Sequence, residues 1–249
     1  MSRLVRSELL KLRTTRTFLG ITLAALGLIA LAAGVGAAAS TYGPSDPSPG
    51  RDLLEAGGIA QPFSLVLGVL AVSTEFRHGT ITPSLLTVPR RARLVIAKLI
   101  AHGVAGLVLG LVAFGLAAAL AFPILSARGI SSDLGFEAAF EVLAGGLACL
   151  VLLAAIGVGV GAIVRNQVGA VMVALGWWIV VEPLLAAIPK VGDSIAKYGI
   201  DGAVNATSAT SLGAEAELGQ VAGGLLLLAY AAIFAAVGIA VLRQRDVTA

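Results

Sequence analysis

Charge is the scarcest property of this 249-residue chain. Only 12% of its residues are Asp, Glu, Lys or Arg, about half the roughly 25% usual in a soluble domain. With 58% of residues apolar and a mean hydropathy of +0.97, there is too little polar surface to enclose a water-soluble core. A soluble enzyme, a disordered chain and a nucleic-acid-binding domain are thereby excluded. Cys149 stands alone in an apolar run, so no disulfide within the chain and no cysteine metal cluster can form. Histidine is limited to His78 and His102. Neither has a second His or a carboxylate three or four residues further on, as helical metal sites usually want, and no metal site is expected. A Gly-x-x-x-x-Gly-Lys-[Ser/Thr] phosphate loop is also missing. Gly157-Val-Gly159-Val-Gly161 imitates a dinucleotide fingerprint, but it lies inside an apolar run with no strand before it. Gly157 and Gly161 read better as a small-xxx-small packing pair, a spacing repeated at Gly106/Gly110 and Gly219/Gly223. No catalytic residues and no enzyme chemistry are expected of this chain.

What is abundant is long apolar runs. Six are found, at Phe18–Ala39, Gly58–Thr74, Leu99–Ala121, Val142–Val164, Val168–Ala187 and Leu218–Leu242. A helix crosses a bilayer in about 20 such residues, and none of the runs alternates with the period of 2 that a barrel strand needs. The fold class expected is therefore an all-α membrane protein of six transmembrane helices. The first run follows basic residues and ends in Ala37-Ala38-Ala39, as a signal peptide does, but it is longer than an apolar signal core of about 7–15 residues. It reads as a retained span.

Six spans put both termini on one side. Arg3, Arg6, Lys11, Arg13, Arg16, Arg77, Arg90, Arg91, Arg93, Lys98, Arg165, Arg243 and Arg245 fall there, against Arg51, Arg128, Lys190 and Lys197 on the other. The bias assigns the termini to the cytoplasm, in a multi-pass arrangement. Before the first span, Leu4, Val5, Leu9 and Leu12 form one helical stripe with Arg3, Arg6, Lys11 and Arg13 elsewhere on the wheel. Residues 1–17 are thus expected as an amphipathic interfacial helix, its basic side towards lipid headgroups.

Outside, Ser40–Gly57 and Leu125–Glu141 are expected as loops. A third loop, 188–217, should contain a short helix at Val191–Tyr198 and then a Gly- and Ser-rich stretch, Gly199–Gly213, acting as a lid or a linker. Late in the fifth run stands Glu182-Pro183. A carboxylate at bilayer depth needs a partner, water or a place near the interface, and proline frees a carbonyl one turn earlier. The pair either lines an external gate or marks the span's end among the headgroups.

The most informative stretch is the short loop after the second span, Glu75-Phe76-Arg77-His78-Gly79-Thr80-Ile81-Thr82-Pro83, then Leu85, Leu86, Val88, Pro89, Arg90, Arg91 and Arg93. Gly79 permits a tight turn, Thr80 or Thr82 caps a short helix, and Leu85, Leu86 and Val88 give it an apolar face ended by Pro89. A short exposed helix of that kind is a peg for another protein's groove.

The pattern Glu-Phe-Arg-x-Gly-Thr-Ile-Thr-x-x-Leu-Leu-x-x-Pro-x-x-Arg, followed by Lys98, resembles the ABC-2 type transport permeases, membrane subunits of bacterial ABC exporters. The amphipathic start Glu8-Leu-Leu-Lys-Leu-Arg13 and the terminal Arg243-Gln-Arg-Asp246 extend the likeness over essentially the whole chain. The resemblance implies an exporter permease fold, with residues 1–17 as an elbow helix and 18–249 as the permease domain. It makes 75–98 a coupling loop that docks on a separate ATPase subunit. The implied contact residues are Glu75, Phe76, Arg77, His78, Gly79, Thr80, Ile81, Leu85, Leu86, Pro89, Arg90 and Arg91. ATP and Mg are expected on that ATPase partner, with no cofactor bound by this chain. The other partners expected are a second permease copy or paralogue and membrane lipids, in a bacterial plasma membrane. An ion-coupled secondary transporter or channel, and a non-transporting scaffold, are the competing readings.

Overall fold

The computed structural model describes residues 1–39, 49–83, 90–164, 166–209 and 218–244. Helix α1 (Ser2–Thr14) is followed, after Thr15, by α2 (Arg16–Ala39). Next come α3 (Pro49–Glu55), a 3-10 turn (Ala56–Ala60) and α4 (Gln61–Arg77). Two long helices follow, α5 (Arg91–Ala127) and α6 (Phe136–Ile163). A segment of α7 (Gln167–Gly176), a π-helical turn (Trp177–Val181) and α8 (Glu182–Ala186) comes next. The chain then forms α9 (Gly192–Tyr198), α10 (Ile200–Ser208) and α11 (Gln220–Gln244). Among the described residues, six helical segments are long and apolar enough to cross a membrane, as the hydropathy pattern predicts.

The spans run beyond the apolar stretches. The second occupies Pro49–Arg77 and the third Arg91–Ala127, so the stretch expected as a loop at Ser40–Gly57 is helical from Pro49 on, its residues 40–48 lying outside the described residues, and Lys98 lies two turns inside α5. Proline 123 does not end that helix; it removes one N–H near the C-terminus, where the chain continues through Leu125 to Ala127. The second outer loop shrinks to 128–135. The largest departure is α10, expected as part of a lid or linker. It is a helix with Ala203, Val204, Ala206, Thr207 and Ser208 buried, packed against α6 and α11.

Helix α6 is the centre, touching α4, α5, α10 and α11. Of its most apolar window 67% is buried, against 17% for α2, 22% for the fifth span and 28% for α11. Exposed Leu19, Leu23 and Leu31 of α2 and Met172, Val173 and Ile179 of the fifth span would be an aggregation surface in water. Facing hydrocarbon, they need no further cover.

Apolar side chains gain nothing by leaving lipid for each other, so spans associate through close fit. A Cβ on Gly68 would come within 2.1 Å of Ala154 O, one on Gly157 within 2.2 Å of Leu65 O, and one on Gly161 within 2.4 Å of Val69 O. The backbones of α4 and α6 therefore touch, and the Gly157/Gly161 pair serves the packing use its spacing suggests. Gly219 differs: it precedes α11 and faces open space. Gly157→Val is expected to lower the melting temperature in detergent by several degrees, whereas Gly115→Ala, at a position with nothing nearby, should leave it unchanged or raised. A thermal-shift assay on the two variants checks this.

Candidate functional site

Four ionisable side chains from three helices meet where α4 ends. Lys98 of α5 points its Nζ at Glu8 Oε2 and Glu75 Oε1, each at 2.8 Å, and donates a third bond to Ala71 O at 2.9 Å. Lys11 Nζ lies 2.7 Å from Glu8 Oε1 and 2.8 Å from Glu75 Oε1. Glu8 is only 2% exposed and Lys98 1%, so this is an interior cluster. Its sum of two carboxylates and two ammoniums is neutral. Tetrahedral Lys98 spends all three N–H donors within it.

The local sequence explains the placement. Glu8 sits in the middle of the stripe formed by Leu4, Val5, Leu9 and Leu12. When that stripe turns inward against α5 and α2, the carboxylate goes with it. The apolar face of α1 therefore covers the bundle and its acidic centre is clamped. Glu75 closes the last turn of α4, where Gly79, at φ 66°, takes the left-handed conformation. Gly79 N–H donates to Phe76 O at 3.3 Å and Thr80 N–H to Glu75 O at 2.9 Å, the double closure of a Schellman stop. One residue thus fixes both the helix end and the direction in which the following loop leaves.

Burial alone would raise the Glu8 carboxyl, but Lys98 and Lys11 outweigh it and hold the group below the usual carboxylate range. For Lys11, burial is likewise opposed, by the hydrogen bonds to Glu75 and Glu8, and the ammonium is held above its ordinary value. His102, one turn beyond Lys98 and buried, places Nδ1 2.9 Å from Lys98 O. A carbonyl only accepts, so Nδ1 carries a proton and donates it there. A cavity of about 120 Å³ opens beside the cluster, lined in part by Thr15, Thr17, Thr74 and His102. Glu75 Oε2, buried and without a partner among the described residues, has room there for water, which needs about 10–15 Å³.

The residues expected at a docking loop divide by burial. Glu75 and Ile81 are buried and Phe76 is half-buried, packed near Val72 and Leu242. Arg77, His78, Gly79, Thr80 and Arg90 are exposed, and Arg91 is half-buried. Arg77 Nη1 donates to Gln167 Oε1 at 3.1 Å, and Arg91 donates to Leu242 O at the end of α11. Leu85, Leu86 and Pro89 lie outside the described residues.

Glu182 and Pro183 stand at the other end of the bundle. The π-helical turn falls in the turn before Pro183, where the proline deprives a carbonyl of its donor. Glu182 is buried, and its Oε1 accepts from Asp201 N–H at 2.6 Å, in the first turn of α10. Asp201 in turn accepts from Trp178 Nε1 at 2.9 Å and Asn205 Nδ2 at 3.0 Å. Glu182 is therefore an internal tie between the fifth span and α10. Among the described residues, no cluster of His, Cys, Asp and Glu has the makings of a metal site.

From the sequence Glu8, Lys11, Glu75 and Lys98 are expected on one side, and no motif joins them. The missed signal was the acid in the centre of an apolar stripe. A carboxyl whose folded pKa is lowered contributes stability above its unfolded value, about 4.3 for Glu, and loses it as the pH falls through the folded value. Glu8→Gln should therefore lower the melting temperature at neutral pH and flatten its fall in acid, read by thermal unfolding against pH. Lys98→Met leaves the two carboxylates to share Lys11 alone and removes the only partner of Glu8 Oε2 among the described residues, and should cost about 3 kcal/mol. The Glu8→Leu/Lys98→Met pair should cost less than the sum of the single changes.

No curated protein matches the chain. The family model described as ABC-2 family transporter protein matches residues 4–180, from α1 and its ion cluster into the π-helical turn. Six apolar spans, an amphipathic first helix and a match over more than two-thirds of the sequence agree, and the chain belongs to the ABC-2 transporter family, as a multi-pass membrane protein of ABC transport.

Proposed function

We propose that this chain is the permease subunit of an ATP-driven exporter in a bacterial plasma membrane, with the α1 end cytoplasmic. A separate ATPase subunit carries the ATP and Mg. The excess of Lys and Arg at the α1 end supports that orientation. The observation that carries the reading is the ion cluster. It joins the root of the loop after α4 to α1 and to the third span, so a force on that loop cannot move α4 without loading Lys11 and Lys98. In this reading Arg77, His78, Gly79, Thr80 and Arg90 present the docking surface, with Leu85 and Leu86 filling the partner's groove. Glu75 transmits rather than docks.

The family points to ABC transport, and the wide apolar faces of the spans suit a hydrophobic compound, peptide or lipid as the exported substrate. Helix α2 and the fifth span are the least covered, which suits them to meeting a second permease. The tie between Glu182 and Asp201 sits where that path would open outward, and breaking it would free the fifth span below its π-helical turn.

The test is a mild-detergent pull-down of the tagged chain from its native membrane. Wild type and Glu75→Gln should both recover a P-loop ATPase, while Leu85→Asp/Leu86→Asp should lose it. Glu75→Gln should then reduce substrate-stimulated ATP hydrolysis severalfold in the reconstituted complex. Recovery of no ATPase with wild type, together with transport driven by an ion gradient in liposomes of this chain alone, would replace the proposal with a secondary transporter or channel.

A further inference from the structure

Helix α1 has a second face that the ion cluster does not use. Arg6 and Arg13, two turns apart and on the same side of the helix, point away from Glu8 and are exposed. Neither has an acidic partner among the described residues. Between them and the third span lies a groove of about 520 Å³. Its walls are Leu9 and Leu12 of α1, Phe18 of α2, and Val104, Val108 and Val112 of α5. The three valines, four residues apart, make a stripe about 12 Å long at 1.5 Å per residue, and each is 41–54% exposed. Thr22 of α2 also lines the groove.

We infer that this groove is a binding site for one anionic phospholipid, its phosphate held by Arg6 and Arg13 and an acyl chain laid along Val104–Val112. The inference needs only that the chain sits in a bilayer, and stands independently of the transport reading.

Three features select this occupant. The groove is amphipathic end to end: two guanidiniums flank its α1 end, and the wall leading away from them towards the middle of α5 is apolar. A soluble peptide or a free anion matches only one half of that pattern. Arginine binds phosphate oxygens through paired, charge-assisted hydrogen bonds, and among the described residues no acid pairs with either arginine to compete with it. The position of α1 fits as well, since an amphipathic helix at the membrane interface keeps its cations at headgroup depth.

The experiment is native mass spectrometry of the delipidated full chain, titrated with palmitoyl-oleoyl phosphatidylglycerol and, separately, with the matching phosphatidylcholine. Wild type should bind its first phosphatidylglycerol about tenfold more tightly than its first phosphatidylcholine, a difference of about 1.4 kcal/mol. Arg6→Ala/Arg13→Ala should abolish that preference. Val108→Trp, which fills the groove and changes no charge, should weaken the first binding of both lipids. Arg90→Ala/Arg93→Ala removes two cations of the same end but none from the groove, and should keep the preference. Equal loss in that control would mean that a diffuse basic face, not this groove, selects the lipid, and would overturn the proposal. So would a retained preference in Arg6→Ala/Arg13→Ala or unchanged binding in Val108→Trp. Melting temperatures of the variants, measured in the same detergent, must match wild type within a few degrees for any loss to count.

Discussion

Taking ions out of water costs several kcal/mol for each, and attraction inside a protein offsets that only where the geometry is complete. At the end of α4 it is nearly so: Lys98 has three acceptors, and Glu8 is contacted through both oxygens by two ammoniums, while Glu75 Oε2 faces the small cavity beside the cluster. No single helix supplies the set. Helix α1 brings Glu8 and Lys11, α4 brings Glu75, and α5 brings Lys98. If any one leaves, the others keep charge in apolar surroundings. The cluster says little about net stability, since an apolar replacement of equal volume often does as well. It says much about dependence, because it makes three helices take up their positions together.

The rest of the bundle is held by a different kind of contact. Helices α4 and α6 meet through Gly68, Gly157 and Gly161, where backbone lies against backbone. Such packing is strong in sum and carries little direction: it fixes a distance more than a register. Polar ties at both ends add the direction. At the far end Arg51 donates to Ala209 O at 2.6 Å and pairs with Glu55 at 3.2 Å, while Glu182 accepts from α10. The middle of the bundle is thus apolar and close-fitting, and the ends are specified by ions.

This division explains what the sequence disclosed. The six spans were legible because hydropathy reports where hydrocarbon must be. Their ends were not, because a helix continues past the hydrocarbon as long as its backbone bonds are made. Helix α5 starts at Arg91, whose side chain reaches the end of α11, and no apolar count registers that. Helix α10 was illegible for another reason. Its Gly, Ser, Thr and Asn content suits a loop, and it is helical because α6 and α11 bury its Ala203 and Val204 and Glu182 satisfies one of its first N–H groups. The turn at Gly79 was readable, since only a left-handed residue ends a helix so sharply. The identity of Glu8's partners was not, because ion pairs from residues 8, 75 and 98 are set by tertiary packing alone.

Helix α1 brings these themes together. At 13 residues it is near the length below which an isolated helix is marginal in water, so its order must come from what it touches. On one side it is held by Glu8 and Lys11, which bind it to α4 and α5. On the other, Arg6 and Arg13 face the apolar groove along Val104–Val112. A lipid bound there would press on the same helix that the ion cluster holds, and the two constraints would add because they act on opposite faces. The depth at which α1 rides in the membrane interface and the position of the loop after α4 are then one variable, linked through Lys11 and Glu75.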